Sequence, residues 1–487
     1  MSPELIFGSF IIYTIVIFSI SWFTSRKADN ESFFIGNHSS PWFVVSYGMI
    51  GASLSGVTFI SIPGWVGDTG FSYFVIVLGY VVGYAVISTV LLPMYYKLKL
   101  TSIYTYLGIR FGRSAYKTGA VFFLISRIIG ASFRMFLVIS VLQIFVFEYF
   151  NIPFWITVVI FMILIQLYTL KGGIKTIIWT DTLQTTFMLA AVVSTIYIIT
   201  QHMDVGIIDM VSEVWNNSLS DIIITDINSK QNFIKLFLSG IFITIVMTGL
   251  DQDMMQKNLS CRNIKDAQKN MTTLSLILIP VNLIFLFLGA ILFLYQGHFN
   301  IPPTLTTDHV FPNIAFNYLG TAAGIIFIIG LVSAAYSSAD SALTSLTTSF
   351  SIDILELDKK FAKDGKLLKK NRYLVHIVMS IIIIFVIISF KLINNQAVIS
   401  QLFTFAGYTY GPLLGLYSFG LFTKFKANDK LIPVIAIIAP ILSYLISHYS
   451  PELFNGYKIG FELLIINGLL TFIGLSLTIK TNKLLTT

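Results

Sequence analysis

The chain has 487 residues, 55% of them hydrophobic and only 11% charged, with a formal net charge of +8 at pH 7. A soluble globular protein carries about 25% charged residues, so this composition excludes one. The single cysteine, Cys261, rules out an intramolecular disulfide and a cysteine metal cluster, and the six histidines show no HExxH or similar ligand spacing.

The apolar residues gather in runs of about 20, the length that crosses ~30 Å of hydrocarbon as a helix, which predicts an all-α polytopic membrane protein. The first run, near 4–25, lacks the positive n-region of a signal peptide and is expected to remain as a span. Further runs follow near 42–66, 71–96, 116–148, 153–170, 177–201, 232–253, 272–296, 313–352, 373–393, 397–422, 431–449 and 459–479, giving thirteen expected transmembrane helices.

The basic residues sort by side. Segments after odd-numbered runs hold Arg26, Lys27, Lys97, Lys99, Arg110, Arg113, Lys117, Lys171, Lys175 and the group from Lys257 to Lys269. They also hold "DKKFAKDGKLLKKNR", Lys424, Lys426, Lys430, Lys480 and Lys483, against only Lys230, Lys235, Lys391 and Lys458 on the other side. The positive-inside rule then predicts a multi-pass protein of the inner (plasma) membrane, with the N-terminus outside and the C-terminus cytoplasmic. The acidic stretch 202–231 (Asp204, Asp209, Glu213, Asp221, Asp226) falls outside, in agreement. The positive charge is thus a topology signal that implies no nucleic-acid partner. The expected partners are a small-molecule substrate and the lipid bilayer, with no obligatory protein partner evident. No GxxxxGK[ST] is present, so energy for transport is expected from an ion gradient or from the solute's own.

Polarity enters the membrane at four places. The second run, "SYGMIGASLSGVTFISIPG", sets Gly48, Gly51, Gly56, Pro63 and Gly64 among Ser53, Ser55 and Thr58. That density suits either a helix unwound where it lines a cavity or small-residue helix packing. The fourth run holds Arg127 and Arg134, nearly two turns and roughly 10 Å apart on one face. Arg127 is positioned to snorkel to the cytoplasm, whereas Arg134 near mid-span needs a carboxylate such as Asp251 or Asp340, or an anionic ligand. In the sixth run Asp181 follows the interface residue Trp179, and a snorkelling carboxylate is the plain alternative to an ion ligand there. Asp251 and Asp253 close the seventh run, where solvation at the cytoplasmic mouth is the simpler expectation. In the ninth run, "AAYSSADSAL" puts Ser337, Asp340 and Ser341 at i, i+3 and i+4 on one stripe, one turn after Ala334 and flanked by Ser338. Hydroxyls and a carboxylate on one stripe make a hard-oxygen site suited to Na⁺ or H⁺, with interhelical serine packing as the alternative.

Three of these stretches carry a resemblance. "LKGGIKTIIWTDTLQ" (170–184) resembles the "GG…WTD..Q" signature of the sodium:solute symporter family. "GASLSGVTFISIPG" (51–64) looks like that family's broken first core helix, and "AAYSSADSALTSLTTSFSIDIL" (334–355) is similar to its sodium-binding eighth core helix. The resemblance covers nearly the whole chain and implies a leucine-transporter-like core of two inverted five-helix repeats. It places these at 42–201 and 232–422, after an extra N-terminal helix (1–30) and before two C-terminal helices (431–480). It implies Na⁺ as the coupling ion, held at a first site by Gly51, Leu54, Ala334, Ser337 and Ser338. By likeness to sialate-type members, a second cation or a proton sits at Asp181, Asp340 and Ser341. Asp340 departs from the family there, being a carboxylate where a hydroxyl is expected. Arg134 looks like the arginine that holds a substrate carboxylate, with Ser53, Ser55 and Thr58 as hydroxyl contacts. The sixth core helix reads "IVMTGLDQ", with Met247 where sugar carriers have an aromatic, which argues against a plain sugar cage.

The expected function is therefore Na⁺-coupled symport of a small organic solute, anionic by the Arg134 argument, through alternating access. The rival readings are a non-transporting solute sensor, a proton-coupled symporter of the same fold, and a channel. An enzyme is not expected, since no nucleophile–base pair or metal constellation is visible.

Overall fold

Backbone amides in hydrocarbon must find partners within their own segment, and the apolar runs accordingly fold as helices. The computed structural model describes residues 3–26, 29–304, 306–392 and 398–479. Lys27, Lys480, Lys483 and the run ends at 393 and 397 lie outside the described residues. The first half contains α1 (Pro3–Ser25), α2 (Asn30–Ile35), α3 (Trp42–Thr69), α4 (Tyr73–Val86) and α5 (Leu92–Lys97). It continues with α6 (Thr105–Arg110), α7 (Arg113–Leu142), α8 (Phe154–Gly172), α9 (Ile174–His202) and α10 (Ile207–Trp215). The second half contains α11 (Phe233–Thr244), α12 (Gln252–Leu259), α13 (Ile264–His298), α14 (Val310–Asn317) and α15 (Gly320–Ser349). It ends with α16 (Leu357–Lys360), α17 (Gly365–Phe390), α18 (Val398–Phe422), α19 (Ile432–Leu453) and α20 (Leu463–Ser476).

Each of the thirteen apolar runs meets one of these helices or a kinked series of them. Among the described residues, nine helical stretches are long and apolar enough to cross a membrane, or ten with one bent pair counted as a span. One of the nine is the continuous stretch Trp42–Lys97, which holds two of the expected runs.

Two helices are broken. Inside α3, Ser55 adopts φ 55°, ψ 174°, a region essentially reserved for glycine. A residue in that conformation turns the helix axis and draws the carbonyls of the preceding turn, residues 51–54, off the i+4 ladder. The second break follows α11, where a π turn (Ile245–Gly249) leads into a 63° bend and then α12. The sequence placed residues 254–259 in a cytoplasmic loop, because "QDMMQKNL" is polar. Instead all eight residues of α12 are buried.

The reason is hydrogen bonding. Asp251 caps α12 by accepting from the amides of Asp253 and Met254. Gln252 accepts from the Ile103 amide at 3.0 Å and donates to the Thr101 carbonyl at 2.9 Å. Gln256 donates to the Phe34 carbonyl at 2.6 Å and to Thr348 at 3.1 Å. Buried polar groups are tolerated when so paired.

The α15 helix lies at the centre, packed on α9, α3, α7, α17 and α1, and every residue from Gly330 to Ser349 is buried. The α4 and α11 helices approach closely at Gly240, where an added Cβ would fall on the Ile76 carbonyl oxygen. On the opposite side of the break from Gly51, the Asp308 carboxylate accepts from the Val398 amide at 3.0 Å and so anchors the start of α18.

Candidate functional site: a cation locus and a solute cavity beside the broken helices

The α3 break faces α15 and α9. Gly51, one turn before Ser55, donates its amide to Thr185 Oγ1 at 3.1 Å. A Cβ added at Gly51 would fall on that hydroxyl and lie 3.5 Å from Ser337 Oγ. The absent side chain is what brings the α3 backbone against the α15 hydroxyl. Gly51, Leu54, Ala334, Ser337 and Ser338 are all buried. Ser338 Oγ donates to the Ala334 carbonyl at 2.9 Å, a bond back along its own helix. The α3 backbone at Gly51 thus comes close to the Ser337 hydroxyl of α15, and backbone carbonyls and hydroxyls are the donor types suited to a hard cation.

Asp181 adjoins this volume and does not snorkel. It is fully buried, accepts from Ser337 Oγ at 2.7 Å through Oδ1, and pairs with Lys257 Nζ at 2.7 Å through Oδ2. Lys257, counted from the sequence among cytoplasmic loop lysines, is 1% exposed because α12 carries it inward. One turn along α15, Asp340 Oδ2 accepts from Tyr168 at 2.9 Å and Oδ1 from the Ser341 amide at 2.6 Å. The Ser341 hydroxyl is buried and has no hydrogen-bond partner.

A cavity of about 90 Å³ opens along the break. Ser53, Ser55 and Thr58 line it from α3, Tyr73, Tyr80 and Tyr84 from α4, Arg127 and Arg134 from α7, and Met247 and Thr248 from the π turn. The Tyr73 and Tyr80 hydroxyls are 3.2 Å apart. Met247 holds the place the sequence assigned it, but the cavity does not lack aromatics. Three tyrosines come from α4, a helix whose even apolarity hid them, and Phe403 comes from α18.

The two arginines differ. Arg127 does not snorkel: it is 4% exposed and forms ion pairs with Asp253 and, at 3.8 Å, with Asp251. Those two aspartates are not solvated at a cytoplasmic mouth, being 1% and 0% exposed. Asp251 is further committed to the Tyr410 hydroxyl and the first amides of α12. Arg134 pairs with neither Asp251 nor Asp340. It makes no ion pair among the described residues, its Nε has no hydrogen-bond partner, and it forms part of the cavity wall.

The structure therefore brings Ser53, Ser55, Thr58 and Arg134 to one cavity. Leu54 also lines that cavity, while Gly51, Ser337 and Asp181 adjoin one another beside it, with Ala334 and Ser338 on the same turns of α15 and Asp340 and Ser341 one turn beyond. Sequence reasoning missed Lys257, Tyr168 and Thr185, which reach the locus from three separate helices. Lys257 carried one usable signal, a lysine in a segment with closely spaced amide side chains beside an apolar run.

Residues 33–430 match the sodium:solute symporter family. The chain belongs to that family. The Na⁺/sialic acid symporter NanT of Aliivibrio fischeri (strain ATCC 700601 / ES114) is 25% identical over 432 residues, covering 86% of this chain and 83% of that protein. The sodium-coupled monocarboxylate transporter 1 of Mus musculus is 25% identical over 445 residues, covering 86% and 70%. A solved substrate-bound, outward-open state of a Na⁺-coupled sialic acid symporter superimposes with a TM-score of 0.82 at 21% identity, over 98% of this chain and 99% of that one. That likeness shows the fold, a leucine-transporter-like, inverted-repeat helical core. The symporter is a multi-pass membrane protein that moves a small solute coupled to Na⁺. The relatives are transporters, which sets the enzyme reading aside.

Proposed function

We propose that this symporter imports a small organic carboxylate with Na⁺ across the plasma membrane, with its N-terminus outside and its C-terminus in the cytoplasm. The observation that carries the proposal is Arg134, a guanidinium on the cavity wall with no ion pair among the described residues. A planar guanidinium is matched to a carboxylate through two parallel hydrogen bonds. Ser53, Ser55 and Thr58 sit opposite as neutral donors and acceptors for the remainder of the solute. The named relatives carry sialic acid or monocarboxylates, both organic acids.

Na⁺ is held in this reading by the hydroxyls of Ser337 and Ser338 and the carbonyls of Ala334, Gly51 and Leu54. Because the same turn of α3 supplies carbonyls to the ion and hydroxyls to the cavity, filling the first site orders the second. The two repeats, 42–201 and 232–422, each open on a broken helix, the arrangement that lets one bundle rock against the other around a fixed site. A tenfold Na⁺ gradient supplies about 1.4 kcal/mol per Na⁺, while the about 2.3 kcal/mol that a ~100 mV potential gives each Na⁺ is offset by the negative charge of a carboxylate that enters with it.

The test is uptake into proteoliposomes under an inward Na⁺ gradient, using short-chain monocarboxylates, sugar acids, neutral sugars and zwitterionic amino acids. Accumulation of monocarboxylates that collapses with a Na⁺ ionophore supports the proposal. Accumulation of neutral sugars or amino acids, with none of any acid, overturns the solute class and leaves the symporter assignment standing.

A further inference from the structure

The cation locus contains one positive charge of the protein's own. Lys257 Nζ lies 2.7 Å from Asp181 Oδ2, and both side chains are 1% exposed. The other oxygen of Asp181 accepts from Ser337 Oγ, also at 2.7 Å. One carboxylate thus bridges the ammonium to a hydroxyl of the proposed sodium site. Asp340 stands within electrostatic reach of both Asp181 and Lys257, held by Tyr168 and the Ser341 amide. A second carboxylate placed in this locus calls for a second positive charge.

The α12 helix holds that charge in place. On one side of Lys257, Gln256 is tied to the Phe34 carbonyl and Thr348. On the other, the Leu259 carbonyl bonds the His38 ring at 2.6 Å, and the Ser260 hydroxyl donates to the Lys257 carbonyl at 2.6 Å. The backbone of Lys257 is tied on both sides and its side chain is buried, so α12 holds the ammonium against Asp181. An ammonium is a compact point charge with three donors, the polar opposite of the oxygens around it and comparable in role to a bound monovalent ion. Unlike an ion, it does not leave with the solute.

We infer that Lys257 is a tethered replacement for a second sodium, filling the position between Asp181 and the Ser337–Asp340–Ser341 stripe, so that this symporter binds and moves one Na⁺ per cycle. The inference rests on the sodium-coupled reading of the first site. It also accounts for Asp340: a carboxylate in place of a hydroxyl balances a fixed ammonium that is present throughout the cycle. With a monovalent carboxylate as solute, one Na⁺ makes the transported pair electrically neutral, so uptake is insensitive to membrane voltage.

Equilibrium binding of ²²Na⁺ to purified protein, without solute, tests this directly. One Na⁺ per wild-type chain, with a Hill coefficient of 1, is expected. Two Na⁺ on the wild type overturn the inference without any variant. In Lys257→Ala the vacated position is expected to admit a second Na⁺, while Lys257→Arg keeps the charge and stays at one. A folded Lys257→Ala that still binds one Na⁺ shows that the lysine does not occupy a cation position, and overturns the inference. Thermal melting establishes folding, and Lys257→Gln serves if the alanine variant does not fold. If folded wild type binds no ²²Na⁺, the sodium-site reading itself fails, a result distinct from a count of two.

Discussion

Replacing Arg127 and Arg134 by alanine, one at a time, perturbs a single face of α7 with opposite expected outcomes. Arg127→Ala leaves Asp251 and Asp253, both buried, without their cation. Removing one partner of a buried ion pair costs about 3–5 kcal/mol, against a total folding stability of roughly 5–15 kcal/mol. The expected result is a sharp loss of folded protein and of melting temperature in detergent. Arg134→Ala strands no carboxylate, because none is paired with that guanidinium, and its Nε lacks a partner already. Its melting temperature is expected to stay close to wild type. Its half-saturating carboxylate concentration, by contrast, rises by roughly 10²–10³, the equivalent of about 3–4 kcal/mol for truncating one side of a buried charge pair. Arg134→Lys restores a point charge without the planar fork and is expected to recover only part of that affinity. The assays are melting by intrinsic fluorescence and Na⁺-driven uptake at varied solute. The reasoning is refuted if Arg134→Ala melts as low as Arg127→Ala, or if it transports a carboxylate with an unchanged half-saturation.

Ser337→Ala removes one proposed sodium ligand together with its hydrogen bond to Asp181, and is expected to raise the half-saturating Na⁺ concentration tenfold or more at normal protein levels. A Na⁺ titration identical to wild type would sink that ligand assignment. At the α3 break, Ser55→Val forces a β-branched side chain into a positive-φ conformation and is expected to lower the melting temperature, while Ser55→Gly raises it or leaves it unchanged. Equal melting of the two variants would mean that the break does not depend on backbone strain at residue 55.

The chemistry that local patterning encodes was readable in the chain itself. Hydrocarbon demands helices of a set length, so apolar runs located α1, α3 and α7 within a few residues, while α13, α15 and α17 begin seven or eight residues from their expected starts. The three motif stretches pointed to the family, and it was that resemblance that made α3 the broken helix, because glycines interleaved with hydroxyls fit close helix packing equally well. Residue 55 could not be singled out, because the positive-φ conformation falls on a serine and not on one of the glycines around it.

The partners of buried charges were a matter of tertiary structure. By local rules "QDMMQKNL" is a cytoplasmic loop, and Asp251, Asp253 and Lys257 belong in water. Their burial depends on Arg127 of α7, Tyr410 of α18 and Asp181 of α9, together with backbone groups near Ile103 and Phe34, none of them close in sequence. A charge enters a low-dielectric interior only with its counter-charge and hydrogen bonds in place. Sequence spacing carries no record of which distant helix supplies them. The same reason separates Arg127 from Arg134, two arginines on one helix face: only the fold determines that Arg127 meets two carboxylates while Arg134 meets a cavity.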